Sequence, residues 1–267
     1  MLRSALVIVA TIALTILCGV PATLLSLVHR DGRWILTFGR IWARGICAAA
    51  GARVEARGME NVPKERAAIL LANHQSNFDM LAILLSMPRP FRVVAKRFLF
   101  YIPVFGWCLR AGGMIPIDRD KRTRAIQSLE KVAARVRSGE PVLMFPEGTR
   151  SPDGALLPFK KGAFVIAVTS GVPVVPVSVT GGDRILAKHS LRVRPGRIII
   201  RYGPEIPVTG HSLATKELLI AQVREAIEAG LAEIDPSRYR AAVAPAEPPA
   251  GAAGSGSRAS LAANERS

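Results

Sequence analysis

The stretch "AAILLANHQSNFDMLAILLSM", residues 67–87, decides the fold. It begins with an apolar run of strand length, passes through a short polar segment, and continues as an apolar run long enough for a buried helix. Ser76 or Asn77 can cap that helix, because short polar side chains accept hydrogen bonds from the first backbone N–H groups. A buried strand that turns directly into a buried helix is typical of α/β proteins.

The same alternation continues along the chain. Further strands are predicted at residues 91–96, 114–118, 141–145, 172–179 and 197–202, and helices over 122–137 and 212–234. In the last helix, Ser212 is the expected N-cap and the expected buried face is Leu218, Val223, Ile227, Leu231 and Ile234. We therefore expect an α/β fold with a mostly parallel central sheet flanked by helices.

The N-terminal region is strongly apolar. Residues 4–28 carry no charge, and this run is long enough to cross a bilayer and longer than an ordinary cleaved signal. Pro21 leaves open a straight span or a kinked hairpin in one leaflet. The amphipathic segment 34–52 lies at the membrane surface or packs on the domain, and its pattern favours neither. We expect membrane-associated helices over 1–52, an α/β domain over 53–240 and a disordered tail over 241–267.

Composition limits the classes of function. The 49% hydrophobic content excludes a disordered protein, and 36 Lys and Arg against 20 Asp and Glu give a net charge of +16, which favours an anionic partner. Nucleic acid is disfavoured, because only 6% of residues are aromatic and the basic residues are not interleaved with them. Three widely spaced cysteines indicate a reducing compartment, and the four histidines form no cluster of metal ligands.

His74 and Asp79 form the first candidate site. On one continuous helix their side chains would point about 140° apart, so they meet only if a turn separates them. With the turn before residue 77, Asp79 lies in the first helical turn and can accept from His74 Nδ1, which leaves Nε2 as a general base. The alternative is a pair that merely caps the strand end.

A second cluster follows the predicted strand 141–145 in "FPEGTRS", residues 145–151. Arg150 carries a planar set of donors that suits a phosphate, and Gly148 permits close approach of the backbone. Lys96 and Arg119 follow two other predicted strands. Because ligands bind at the carboxyl ends of strands in open α/β sheets, these cations are expected beside His74.

Together these segments resemble a known family. "NHQSNFD", "GGMIPIDR", "FPEGTRS" and "VPVVPVSV" occur in the order of the four blocks of bacterial 1-acyl-sn-glycerol-3-phosphate acyltransferases. Pro116 departs from the bulky residue that is usual in the second block. The resemblance implies that His74 and Asp79 are catalytic. It also implies a substrate-binding set of Lys96, Arg119, Glu147, Gly148, Thr149 and Arg150.

The resemblance also implies a reaction and a cellular location. The family transfers an acyl group from acyl-CoA or acyl carrier protein to the sn-2 hydroxyl of 1-acyl-glycerol-3-phosphate and forms phosphatidic acid at the cytoplasmic face of the inner membrane. We expect membrane lipids as partners, no nucleic acid, no metal and no cofactor. The donor, the chain-length preference and the oligomeric state stay open. An acyltransferase for another lysolipid, such as lyso-ornithine lipid, and a non-catalytic lipid-binding protein are the alternatives.

Overall fold

The computed structural model describes residues 1–29, 33–118 and 122–243. The helices in these ranges are α1 Leu2–Val28, α2 Arg33–Ala50, α3 Asn77–Ser86, α4 Phe105–Ala111, α5 Arg122–Arg137, α6 Gly162–Ser170, α7 Gly182–Ile185, α8 Lys216–Ile234 and α9 Pro236–Val243. The strands are β1 Ala52–Arg57, β2 Ile69–Ala72, β3 Arg92–Lys96, β4 Ile115–Ile117, β5 Val142–Met144, β6 Val174–Thr180 and β7 Gly196–Tyr202.

The described strands form one sheet in the order β1-β7-β6-β2-β5-β3-β4. Neighbours are parallel except β6 and β7, so the predicted α/β class with a mostly parallel sheet is confirmed. The carboxyl ends of β6, β2, β5, β3 and β4 therefore lie at one edge of the sheet. β1 was not predicted, because "ARVEAR" is half-buried and alternates charged with apolar residues at the sheet margin.

Helices cover both faces of the sheet. Ile69 and Leu70 are both fully buried but belong to different apolar clusters, as the alternation of a strand requires. The Leu70 cluster contains residues of α2 and α3, and the Ile69 cluster contains residues of α5, α6 and α8. Strands buried on both faces read as continuous apolar runs, which explains why they were easy to find in the sequence.

The prediction for the last long helix was wrong in two details. α8 begins at Lys216 with Thr215 as its N-cap, because Ser212 forms a separate turn in which its backbone N–H donates to Thr215 Oγ1 at 2.8 Å. Leu218 is 61% exposed, and its neighbour Leu219 is buried instead. The remaining predicted positions on that helix are buried.

The two N-terminal helices form a hairpin that packs on the domain. Arg3 Nη1 donates to Ala50 O at 3.2 Å, and Trp42 Nε1 donates to Thr15 Oγ1 at 3.0 Å. α1 runs unbroken through Pro21, and among the described helices it is the one long and apolar enough to cross a membrane. Near its start Ser4 Oγ accepts from the Val193 N–H, and near its end Thr23 contacts Cys108 of α4. α1 therefore lies along the domain instead of projecting from it.

Candidate active site

The loop from β2 to α3 is anchored at its first residue. The amide of Asn73 donates through Nδ2 to Val179 O at 2.9 Å and accepts at Oδ1 from the Val179 N–H at 2.7 Å. This buried side chain therefore bonds to β6 as a backbone unit of a strand would. The chain direction at His74, the next residue, is fixed by that contact.

Asp79 collects three donors on one carboxylate oxygen. Its Oδ2 accepts from Gln75 N at 2.6 Å, from Ser76 N at 2.7 Å and from His74 Nδ1 at 3.0 Å. Ser76, one of the two predicted caps, caps α3, and Asp79 completes a capping box at the helix N-terminus, where a negative charge is favoured. The side chain is fully buried, so the carboxylate that holds the imidazole is fixed by the start of α3.

The other oxygen of Asp79 lies against a glycine. Asp79 Oδ1 has no hydrogen-bond partner among the described residues, and a Cβ at Gly182 would lie 2.3 Å from it. Gly182 begins α7, directly after β6. The close approach of this turn therefore helps to hold Asp79 in place and requires glycine there.

His74 presents its second ring nitrogen to the site. The ring stacks on Phe145 with centroids 4.1 Å apart, and 19% of the side chain is exposed. Because Nδ1 contacts Asp79, Nε2 is the nitrogen left for a ligand, and it has no hydrogen-bond partner in the described part of the chain. The predicted contact between the two side chains is present.

Glu147 supports His74 from behind. Its Oε1 accepts from the His74 N–H at 2.6 Å and its Oε2 from the Leu157 N–H at 3.0 Å. The side chain is 3% exposed, and burial raises the pKa of this carboxyl to about 7, although the two backbone donors partly oppose that rise. Ser151 N also donates to His74 O at 2.8 Å. The resemblance implied a substrate-binding role for Glu147, whereas in the structure its oxygens accept from the backbone N–H groups of His74 and Leu157.

The predicted cations lie at the same edge of the sheet. Lys96 is exposed at the end of β3, and Arg150 is half-buried after the neighbouring β5. Neither side chain has a hydrogen bond or ion pair within residues 1–29, 33–118 and 122–243. Thr149 is exposed beside Arg150. Arg119 lies outside the described residues.

Gly148 and Lys160 complete this side of the site. Gly148 has a φ of +75°, and a Cβ there would lie 2.8 Å from Lys160 Cε. The glycine therefore allows a turn and leaves room for a lysine stem above it. Lys160 was not singled out in the sequence, because it stands in an ordinary basic pair far from the motifs.

An apolar cavity of about 200 Å³ opens beside α3. Its lining includes Met80, next to Asp79, together with Trp42, Leu84 and Phe105 from the surrounding helices. Residues of α1 and α2 close the other side. An apolar cavity formed by both the anchor hairpin and the domain suits a hydrocarbon chain.

Comparison with known proteins gives a consistent result. A family model described as Acyltransferase matches residues 53–180. The 1-acyl-sn-glycerol-3-phosphate acyltransferase of Escherichia coli is 34% identical over 207 residues, which cover 77% of this chain and 83% of that protein. The chain belongs to the 1-acyl-sn-glycerol-3-phosphate acyltransferase family. The predicted family and the predicted enzyme class, acyltransferase, are confirmed.

Other members of the family extend the comparison. The chloroplast enzyme BAT2 of Brassica napus is 35% identical over 192 residues, and the chain spans about half of its length, 55%. The crystal structure of the LPA acyltransferase PlsC from Thermotoga maritima superposes with a TM-score of 0.77 at 28% identity, covering 87% of this chain and 95% of that one. The family match contains His74, Asp79 and the segment around Arg150.

The structure adds supports for the site that the sequence did not indicate. Tyr239 of α9 is buried, its hydroxyl accepts from Gln75 Nε2 at 2.6 Å, and it donates to Gly154 O at 3.0 Å. Arg238 contacts the carboxylate of Asp183 with two nitrogens, at 3.1 and 2.7 Å. No motif marks "SRYR", and 164 positions separate Tyr239 from Gln75, so only the fold could show this contact.

Proposed function

We propose that this chain transfers a fatty acyl group from an acyl thioester to the sn-2 hydroxyl of 1-acyl-sn-glycerol-3-phosphate, giving phosphatidic acid. The observation that carries the proposal is the His74 Nδ1 to Asp79 Oδ2 contact of 3.0 Å, which leaves Nε2 open at the edge of the sheet. The names of the E. coli and Thermotoga relatives support this acceptor.

The chemistry follows from the two ring nitrogens. His74 Nε2 takes the proton of the sn-2 hydroxyl while the oxygen attacks the thioester carbonyl carbon. The C–O bond forms in this addition and gives a tetrahedral intermediate. Its collapse breaks the C–S bond, and the leaving thiolate takes the proton from the imidazolium. Asp79 fixes the ring orientation and stabilises the imidazolium, and its own three donors hold it in place.

The surroundings suit a lysophospholipid. Lys96 and Arg150 have no partner among the described residues and can bind the phosphate of the acceptor, and we assign Arg119 the same role from its position in the motif. Gly148 and Thr149 line the path between that phosphate and His74. The apolar cavity beside Met80 can hold an acyl chain, because its lining is almost entirely hydrocarbon.

We propose that the protein lies in the cytoplasmic leaflet of the inner membrane. Large apolar side chains of α1, such as Leu6, Val9 and Leu17, are 54–69% exposed. Because α1 contacts the domain near both ends, this apolar face can enter one leaflet while the domain stays at the headgroup level. The positive net charge favours the anionic cytoplasmic surface.

The test is an assay of the full-length protein in neutral detergent. Lysophosphatidate and lyso-ornithine lipid are supplied side by side, each with acyl-CoA and with acyl carrier protein. We expect transfer to lysophosphatidate, and we expect His74→Ala to lower turnover about 10³-fold while vesicle association is retained. His211→Ala, which alters a histidine remote from the sheet edge, is the matched control. Near-normal turnover of His74→Ala, or preferred acylation of lyso-ornithine lipid, would contradict the proposal.

A further inference from the structure

A second, basic pocket lies away from His74, at the outer side of the terminal strand β4. Its volume is about 490 Å³. Ile115 and Pro116 of β4 form its floor, while the 97–113 segment and the second half of α5 form its walls. Pro116 is tolerated there because a terminal strand needs no N–H donor on its outer side. The carbonyl of Pro116 accepts a hydrogen bond from Ser128 Oγ at 2.9 Å.

The pocket carries an excess of positive charge. Among the described residues, four cations and no carboxylate line it: Arg97, Arg110, Lys131 and Arg135. Glu140 pairs with Arg92 and reaches Arg135 at 3.4 Å, and the charge of Asp118 acts on Arg97. The side chains of Arg110 and Lys131 have no hydrogen-bond or ion-pair partner in the described ranges. Among the described residues, the pocket therefore retains two charges, those of Arg110 and Lys131, with no ion-pair partner.

Contacts between lining residues hold one wall of the pocket in place. Arg97 Nε donates to the hydroxyl of Tyr101 at 3.2 Å, and both residues line the pocket. Gly113 has a φ of +66°, and a Cβ there would lie 3.4 Å from Arg135 Nη2, so the turn before β4 brings the backbone close to this guanidinium. The cations thus surround a defined concavity and are not scattered over a convex surface.

The rim of the same segment is apolar and exposed. Phe98, Tyr101, Ile102 and Trp107 are 41–66% exposed. They belong to the 97–111 segment, which includes α4 and contacts α1 at Gly19, where a Cβ would lie 2.6 Å from Val104 Cγ1 and 3.0 Å from Cys108 Sγ. The basic pocket is therefore next to an exposed apolar surface on a segment that packs against α1. Cationic groups beside exposed aromatic and aliphatic side chains are the pattern of a lipid interface.

We propose that this pocket binds the phosphodiester headgroup of an anionic membrane phospholipid that is neither substrate nor product, with its acyl chains along the Phe98 to Trp107 rim. Charge complementarity selects an anion, and the apolar rim selects a lipid over a soluble phosphate. Such a site would hold the β4 side of the domain against the bilayer, while the hairpin holds the other side. The binding claim does not depend on acyl transfer.

The experiment measures binding of a water-soluble short-chain phosphatidylglycerol to the full-length protein in neutral detergent, with short-chain phosphatidylcholine as the neutral lipid. The variant is Arg110→Gln with Lys131→Gln. The matched control is Arg192→Gln with Arg194→Gln, two exposed arginines that precede β7 and whose side chains have no partner among the described residues. We expect the first double variant to weaken phosphatidylglycerol binding about 30-fold, with phosphatidylcholine binding and the control pair unchanged.

Three results would overturn the proposal. Equal loss in both double variants would show a diffuse charge effect, and equal loss for both lipids would show a damaged apolar surface. Displacement of phosphatidylglycerol by coenzyme A, together with a raised KM for acyl-CoA in the Arg110 and Lys131 variant, would assign the pocket to the acyl donor. Inorganic phosphate at the same concentration is expected not to compete, because it lacks the chains that contact the rim.

Discussion

Glu147 makes the stability of this protein depend on pH in a predictable direction. Burial raises the pKa of this carboxyl from its ordinary value of 4.5 to about 7 in the folded protein. The folded state therefore binds a proton more tightly than the unfolded chain does. The corresponding stabilisation is fully present below about pH 4.5 and is lost as the pH rises through about 7.

The magnitude follows from the two pKa values. Between about pH 5.5 and about pH 8, the shift corresponds to a fall of about 2 kcal/mol in the free energy of unfolding. For a domain of this size, that fall lowers the Tm by about 4–8 °C. Other groups titrate in the same interval, so the wild-type shift alone does not isolate Glu147.

The variant Glu147→Gln isolates the effect. Its amide places an NH₂ against one of the two backbone N–H groups, those of His74 and Leu157, and this mismatch destabilises the variant by an amount that does not itself depend on pH. The pH-dependent part disappears because the amide does not titrate. Thermal unfolding of both proteins in one detergent, at both pH values, provides the measurement. If the Tm of both proteins fell equally between the two pH values, Glu147 would not carry the raised pKa and the reasoning would be refuted.

Three further predictions concern the site. Arg150→Ala should raise the KM for lysophosphatidate about tenfold or more and leave the KM for the thioester nearly unchanged, because Arg150 is proposed to bind the phosphate of the acceptor. Equal effects on the two KM values in initial-rate kinetics would contradict this. Gly182→Ala should lower kcat more than KM, because the new Cβ would lie 2.3 Å from Asp79 Oδ1, whereas Gly162→Ala, with 3.3 Å to Leu129, is the control that should stay active. Tyr239→Phe should lower the free energy of unfolding by about 1–2 kcal/mol and also reduce kcat, because Gln75 Nε2 and Gly154 O both lose the hydroxyl that they contact. A lower Tm with an unchanged kcat would limit Tyr239 to a structural role.

Strong local signals explain what the sequence could predict. The six predicted strands are present because each contains an apolar run, and in β2, β5 and β6 that run is buried on both faces. Ser76 caps α3 because its polar side chain stands at the junction of strand and helix. The contact of His74 with Asp79 followed from that junction. β1 was missed because an edge strand with alternating arginines lacks such a run.

Long-range packing explains what the sequence could not predict. The resemblance placed Glu147 in the substrate-binding set, but the parallel pairing of β2 with β5 brings it beside His74, where backbone N–H groups donate to it. Gly182 and Tyr239 act through contacts with residues 103 and 164 positions away in the chain, and neither lies in a motif. The order of strands in the sheet determines these neighbours, and no local pattern encodes it.

The hydrogen bond between Gln75 and Tyr239 also has a consequence for synthesis. During translation the loop that contains His74 and Gln75 is made early, whereas Tyr239, whose hydroxyl binds Gln75, is added 164 residues later. A growing chain that has passed residue 200 already contains His74, Asp79 and Glu147, together with every strand except the last few positions of β7, and still lacks that hydroxyl. The nascent protein therefore contains the reactive pair well before the hydroxyl that supports its loop, and by then its apolar hairpin has long been available to the membrane.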